Sequence, residues 1–174
     1  SSILGGQFFF QARNWKREAF PEAVLLLNRS FETAYRIELL TETQLSHVEG
    51  FVGNFKTTLN SRGKEVQIEH GVAVIATGAG EARPDEYLYG EDPRILTHLE
   101  LDQRFLENDL SLKDVQSAVF IQCVGSREPQ RPYCSRVCCT HAIESALHLK
   151  EINPDMNIYV LYRDIRTYGE REYL

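Results

Sequence analysis

Four cysteines lie within one short stretch of this 174-residue chain, and no cysteine occurs elsewhere in it. They are Cys123, Cys134, Cys138 and Cys139. Thiolates are the ligands that zinc and iron–sulfur centres share, and four of them complete a metal site without any other side chain. Metal coordination is therefore the chemistry that these residue types and their clustering favour.

Other interpretations of the cysteines are weaker. Free cysteines are often small buried apolar residues, but residues used only in that way would not all fall in one window. A disulfide framework is typical of small secreted domains, and nothing in this chain resembles a signal peptide. Structural zinc usually uses paired C-x₂₋₄-C knuckles, which hold the sulfurs roughly 3.8 Å apart given Zn–S bonds of ~2.3 Å. Only the segment that begins at Cys134 and continues to Cys138 resembles such a knuckle, and no second knuckle pairs with it.

Adjacent Cys138 and Cys139 point in different directions, which suits a cubane whose irons lie at separate corners. The spacing therefore favours an iron–sulfur cluster and leaves zinc as the alternative.

A predicted strand–helix–strand unit positions the cysteines. Residues 117–122 form a short apolar run typical of a buried strand, and Cys123 follows directly. Apolar residues at helical spacing predict a helix over residues 138–152, and residues 158–162 form a second apolar run. A connection of this length joins parallel strands with a right-handed crossover. The cysteines then occupy the loop where such folds bind phosphates and cofactors.

Cationic residues accompany the cysteines. We expect Arg127, Arg131 and Arg136, together with the helix N-terminus, to offset thiolate charge and to lower the pKa values of the thiols. An ordinary solvated loop is the alternative explanation for these arginines. His141 is not assigned as a ligand, because a histidine in the first turn of a helix is more often exposed.

The rest of the chain predicts an α/β fold with a β-meander. Residues 1–3 are expected to end a strand before a turn at Gly5 and Gly6. Helices are predicted over residues 21–35 and 99–106. Strands are predicted at residues 37–40, 47–52, 54–59, around 66–70 and at 72–76.

Composition limits the function classes. A net charge of −6 and a pI near 5.4 argue against a nucleic-acid surface. No apolar run is long enough to cross a bilayer, and reduced cysteines favour a cytoplasmic location. The five histidines are scattered along the sequence, with no paired carboxylates or nucleophile elbow, so no catalytic acid, base or nucleophile is predicted.

Several segments resemble a known family. V-I-A-T-G at residues 74–78 resembles the A-T-G segment of two-dinucleotide-domain flavoproteins related to thioredoxin reductase. V-E-G-F-V-G-N-F, E-Y-L-Y-G-E-D-P, C-V-G-S-R, P-Y-C-S-R-V-C-C-T-H-A and V-L-Y-R-D-I-R-T-Y-G closely resemble the A-type subunit of heterodisulfide reductase and its relatives in anaerobes. The resemblance covers about residues 37–174 and also residues 4–6.

The resemblance implies an oxidoreductase subunit that passes electrons between FAD and a [4Fe–4S] cluster. In it, Cys123, Cys134, Cys138 and Cys139 are cluster ligands. The candidate FAD contacts are Gly5, Gly6, Thr77 and Gly78. Its implied partners are subunits of the B and C types, or a hydrogenase or dehydrogenase that donates electrons, and it allows a homodimer.

The resemblance also divides the chain. Residues 1–80 are expected to be the remainder of an FAD-binding domain that includes the meander, and residues 81–116 a connecting segment with a helix. Residues 117–174 are expected to form a Rossmann-like βαβ unit of the NAD-domain type. The glycine-rich βαβ unit for the FAD pyrophosphate and the ferredoxin-type cysteine run are both missing, so we expect a fragment that is inactive alone. A zinc-stapled protein-interaction module without redox activity is the alternative function.

Overall fold

The computed structural model describes residues 4–14 and 18–168, so the predicted strand end at residues 1–3 lies outside the described part. The chain divides into two compact units. The first comprises Ser1–Phe9 and Glu22–Ala79, and the second comprises Phe10–Pro21 and Gly80–Leu174.

The first unit combines a helix, α1 (Phe20–Thr33), with a three-stranded antiparallel meander. The strands are β1 (Thr43–Phe51), β2 (Asn54–Ser61) and β3 (Lys64–His70), and they pair in chain order. Arg62 and Gly63 connect β2 to β3 with positive φ values of 52° and 78°. Two central residues with positive φ match the twist of a tight hairpin. The predicted meander is confirmed.

The second unit carries the predicted strand–helix–strand arrangement. Its helices are α2 (His98–Leu106) and α3 (Cys138–Ile152), and its strands are β4 (Ser117–Ile121) and β5 (Asn157–Leu161). The strands are parallel, with Ser117 opposite Asn157 and Ile121 opposite Leu161. The α/β class is therefore confirmed, and α3 covers the whole predicted helix.

The core of the second unit lies between its two helices and one face of the β4–β5 sheet. Its buried members are Ala12, Phe105, Leu112, Phe120, Ala142, Leu149 and Met156. The opposite face of the sheet carries Val119, Ile121, Tyr159 and Leu161, which are exposed by 55%, 36%, 55% and 54%. One face of the sheet is thus covered, and the other presents an apolar surface.

Two strand predictions are wrong. Residues 37–40 and 72–76 have no regular structure, and their apolar side chains are largely exposed, as Ile37 (51%) and Val74 (87%) show. A strand needs a neighbour that satisfies its backbone N–H and C=O groups. In the described part, β1–β3 pair only with one another, so neither run has such a neighbour.

Every helix in residues 4–14 and 18–168 falls short of the length and apolar character that crossing a bilayer requires.

Candidate metal centre

Cys123 lies just past the carboxyl end of β4, where the strand becomes a turn. Its φ of 65° is in the left-handed region, and its carbonyl accepts a hydrogen bond from the N–H of Ser126 at 3.1 Å. The left-handed residue ends the extended chain abruptly. Cys123 is thereby held at the strand terminus and is partly exposed.

Cys134 is brought back beside that turn by hydrogen bonds across the loop. The Ser126 hydroxyl donates to the carbonyl of Tyr133 at 2.9 Å, which joins the turn after Cys123 to the residue before Cys134. The N–H of Arg136 donates to Cys134 Sγ at 3.3 Å. A sulfur that accepts a backbone N–H is better prepared to carry negative charge.

Cys138 and Cys139 open α3. Val137 is the N-cap residue, and its side chain makes no capping hydrogen bond. The first N–H groups of α3 therefore present partial positive charge without a side-chain acceptor, which favours thiolates at this end. Cys139 is 3% exposed and Cys138 is partly exposed, so the adjacent pair reaches two different environments.

The four thiols are close enough to influence one another. The pKa of Cys138 is raised, first by burial and then by the charges of Cys139, Cys123 and Cys134. The expected lowering of thiol pKa is thus wrong for Cys138, because burial and then the neighbouring thiolates outweigh the helix N-terminus. A metal cation reverses this balance, since a coordinating thiol is deprotonated outright.

In the described residues, the cysteine side chains are not arranged as a complete set of metal ligands. Within residues 4–14 and 18–168, no three His, Cys, Asp or Glu side chains are arranged as a metal site. Gln122 and Thr140, the sequence neighbours of Cys123 and Cys139, have buried side-chain polar atoms without a hydrogen-bond partner. Four thiols are a donor set that suits an iron–sulfur cluster, and the orphaned Gln122 amide and Thr140 hydroxyl, next to two of them in the sequence, are donors that such a cluster could engage.

The predicted arginines have different surroundings. Arg127 forms an ion pair with Asp164, which also binds Arg166 at 2.5 Å. The pKa of Arg127 is raised, first by Asp164 and less by the nearby Cys123 thiol. Arg136 lies 5.8 Å from the ring centroid of Tyr168. Positive charge therefore lies next to at least one thiol, as expected.

The contribution of the segment after β5 was missed from the sequence. Arg163 pairs with Glu128 and donates to the carbonyl of Arg127 at 2.5 Å. With Asp164, this places two residues of the segment against the loop that begins at Cys123. The parallel register was the available indication, because the carboxyl ends of neighbouring parallel strands meet at one edge of a sheet.

Two histidines of the second unit that are far apart in the sequence come together in the structure. The His98 and His141 rings stack at 4.7 Å, and the His148 ring lies 4.1 Å from Phe105. His141 is not the exposed residue that was expected: its Nε2 lies 2.7 Å from Oδ2 of buried Asp102. His141 is therefore hydrogen-bonded to a residue of α2.

The predicted FAD contacts lie in the first unit. Gly5 has a φ of 110°, and a Cβ there would come within 2.6 Å of both Phe9 and Val24, so close packing requires glycine. Gly6 and Gly78 also have positive φ, with open space around them. Thr77 and Gly78 are exposed in an irregular segment. Their contact with FAD stays a prediction.

The known proteins that the chain resembles are A-type subunits of heterodisulfide reductases. The chain is 37% identical over 122 residues to the A-type subunit of the "H(2):CoB-CoM heterodisulfide,ferredoxin reductase" of Methanothermobacter marburgensis. It is 35% identical over 121 residues to the corresponding subunit in Methanothermobacter thermautotrophicus. It is 32% identical over 124 residues to the first of the A-type iron-sulfur subunits of CoB--CoM heterodisulfide reductase in Methanopyrus kandleri. No protein-family model matches the chain.

These matches cover 62% of the chain but 18% of each relative, so the chain corresponds to less than a fifth of their length. They confirm the resemblance to the A-type subunits of heterodisulfide reductases over that segment. The phrase "iron-sulfur" in the name of the Methanopyrus kandleri relative agrees with an iron–sulfur cofactor as the general class.

Proposed function

We propose that this chain, which resembles a segment of the A-type subunits of heterodisulfide reductases, binds a [4Fe–4S] cluster through Cys123, Cys134, Cys138 and Cys139. In this proposal it is part of an oxidoreductase that passes electrons between that cluster and FAD. The observation that carries the proposal is the position of the four cysteines at one end of the strand–helix–strand unit: Cys123 follows β4, a hydrogen bond from Ser126 holds the loop beside Cys134, and Cys138 and Cys139 begin α3.

The residues around the thiols would support such a cluster. A bound cluster supplies one-electron transfer. The four thiolates would hold it, the backbone N–H of Arg136 would stabilise charge on Cys134, and Cys138 and Cys139 would lie at the uncapped N-terminus of α3. Arg127 adds positive charge beside Cys123, which offsets the net negative charge of four thiolates.

The remaining assignments follow from the resemblance. Gly5, Gly6, Thr77 and Gly78 would contact FAD, and residues 1–80 would belong to the FAD-binding domain. The connecting segment at residues 81–116 would lead to the cysteine-bearing unit at residues 117–174. The names of two relatives mention ferredoxin and H₂. Partner subunits of the B and C types, or an enzyme that supplies electrons, are proposed for the complete protein.

The decisive experiment is anaerobic purification followed by iron, acid-labile sulfide and zinc assays and by EPR of the dithionite-reduced protein. We expect about four irons and four sulfides per chain, with the signal of a reduced cluster. Cys139→Ser should lose the signal, whereas Ser135→Ala, beside a proposed ligand in the same loop, should keep it. Stoichiometric zinc without a signal after cluster reconstitution would refute the redox proposal and support a zinc-stapled module.

A further inference from the structure

The side chain of His98 links β4, which Cys123 follows, to α3, which carries Cys138 and Cys139. Its ring stacks on Phe120 of β4, with centroids 5.9 Å apart and planes 17° apart. The same ring stacks on His141 of α3 at 4.7 Å and 23°. Phe120 precedes Cys123 by three residues, and His141 follows Cys139 by two. We call the three rings of Phe120, His98 and His141 the histidine stack.

Asp102 fixes the α3 side of the histidine stack. It lies four residues after His98, so the two side chains emerge from the same face of α2. Asp102 is 4% exposed, and its Oδ2 accepts a hydrogen bond from Nε2 of His141 at 2.7 Å. A buried carboxylate is held only when it has such a partner. The pair therefore fixes the rotation of the first turn of α3 relative to α2.

The start of α2 is itself fixed. The N–H of Glu100 donates to the Thr97 hydroxyl at 3.3 Å, and the N–H of Thr97 donates to Glu100 Oε2 at 2.8 Å, which completes a capping box. Tyr89 donates to the other oxygen of Glu100 at 2.8 Å. His98, which directly follows Thr97, thus projects from an anchored backbone.

We propose that His98 and Asp102 are positioning residues that set the separation between Cys123 and the Cys138–Cys139 pair. Neither residue would bind the metal. The histidine stack spaces β4 from α3, and the Asp102 contact orients the helix turn that presents the pair. This inference rests on the proposed cysteine site, but the separation of the thiols can be measured without any metal.

The test uses the reduced, metal-free chain in a Cys134→Ser and Cys139→Ser background, which leaves the partly exposed thiols of Cys123 and Cys138. Dibromobimane links two thiols only when both lie within its short span: two thiolates displace two bromides, and the product fluoresces. His98→Leu and Asp102→Leu remove the stacking and the hydrogen bond. Misplaced reacting groups should lower the cross-link yield by about threefold or more.

Conservative variants and a stability control separate positioning from loss of stability. His98→Phe keeps an aromatic ring and Asp102→Asn keeps an acceptor, so both should restore most of the yield. Leu149→Ala destabilises the same helix ten residues beyond Cys139, at a side chain that is 3% exposed. It should lower the unfolding temperature without lowering the yield. Ser145→Ala removes a buried hydroxyl that has no hydrogen-bond partner and should change neither quantity.

Two results would overturn the inference. One is a yield in the leucine variants equal to that of Leu149→Ala at matched stability. The other is a failure of the conservative variants to restore the yield. Iron reconstitution of the same variants in the four-cysteine chain then tests the proposed function separately. A wild-type chain that takes up no iron would refute the cluster, while the cross-link yields would still decide the positioning role.

Discussion

His98 should make the stability of the chain depend on pH, and His98→Phe should remove that dependence. Burial, and secondarily the charge of neighbouring His141, lower the pKa of His98 from 6.5 to about 4. The unfolded chain binds a proton on this residue near pH 6.5, whereas the folded chain does so only near pH 4. The unfolded state therefore gains protons first, and the free energy of unfolding falls as the pH drops through this window.

The size of the effect follows from the two pKa values. The free energy of unfolding should fall by about 1.4 kcal/mol for each pH unit below 6.5. Protonation of His98 should therefore lower it by about 2 kcal/mol at pH 5 relative to pH 7. Partial exposure of the ring makes this an upper value. Phenylalanine keeps the aromatic contacts to Phe120 and His141 but cannot titrate. The stability of wild type relative to His98→Phe should thus decline steadily between pH 7 and pH 5.

The assay is urea unfolding followed by far-UV circular dichroism at pH 7, 6 and 5, with the thiols kept reduced and metal-free. His47→Phe is the matched control, because the side chain of His47 on β1 is 66% exposed. This control measures how far a histidine-to-phenylalanine change at an exposed position alters the pH dependence, and the decline for His98→Phe should exceed it. A pH-independent difference for His98→Phe would refute the conclusion that the fold holds this ring neutral.

Three other predictions concern single contacts. Gly50→Ala should lower the free energy of unfolding in urea by at least about 2 kcal/mol, because Gly50 has a φ of 101° and the new Cβ would lie 2.1 Å from a backbone oxygen. Gly53→Ala should lower it by only about 1 kcal/mol, because Gly53 has a φ of 90° but open space around it. Equal losses would contradict the clash. Thr97→Ala should lower stability by about 1 kcal/mol through loss of the capping box, and an unchanged unfolding midpoint would contradict it. Arg127→Met should make the potential of a reconstituted cluster more negative in an EPR redox titration, because a positive charge beside Cys123 is lost; no shift would contradict its electrostatic role.

Local patterns predicted the elements that carry the cysteines. The helical spacing after Cys138 and the turn at Asn153 and Pro154 predict both ends of α3, because periodicity and helix-ending signals depend on residues that are close in the sequence. The run at residues 37–40 failed because a strand depends on a partner that no local pattern specifies. Apolar and β-branched residues alone do not supply that partner.

Some features of the candidate site could likewise be predicted from local sequence, and others depend on how distant segments pack. The clustering of the cysteines was visible in the sequence, because all four lie within 17 residues from Cys123 to Cys139. The contact of Asp102 with His141 spans 39 positions and depends on how α2 packs on α3, so spacing could not reveal it. The raised pKa of Cys138 likewise depends on the three-dimensional arrangement, because burial and then the charges of three other thiols cause it.

The exposed face of the β4–β5 sheet affects the tendency of the purified chain to aggregate. Val119 lies opposite Tyr159 and Ile121 opposite Leu161, so the apolar side chains form two cross-strand pairs on one surface. In the described part, the sheet also has only two strands, and each leaves one edge unpaired. Open edges beside an apolar surface are a template for aggregation. Replacing Val119 and Tyr159 with lysine should raise the soluble yield without touching the cysteines or the side chains that pack on α3.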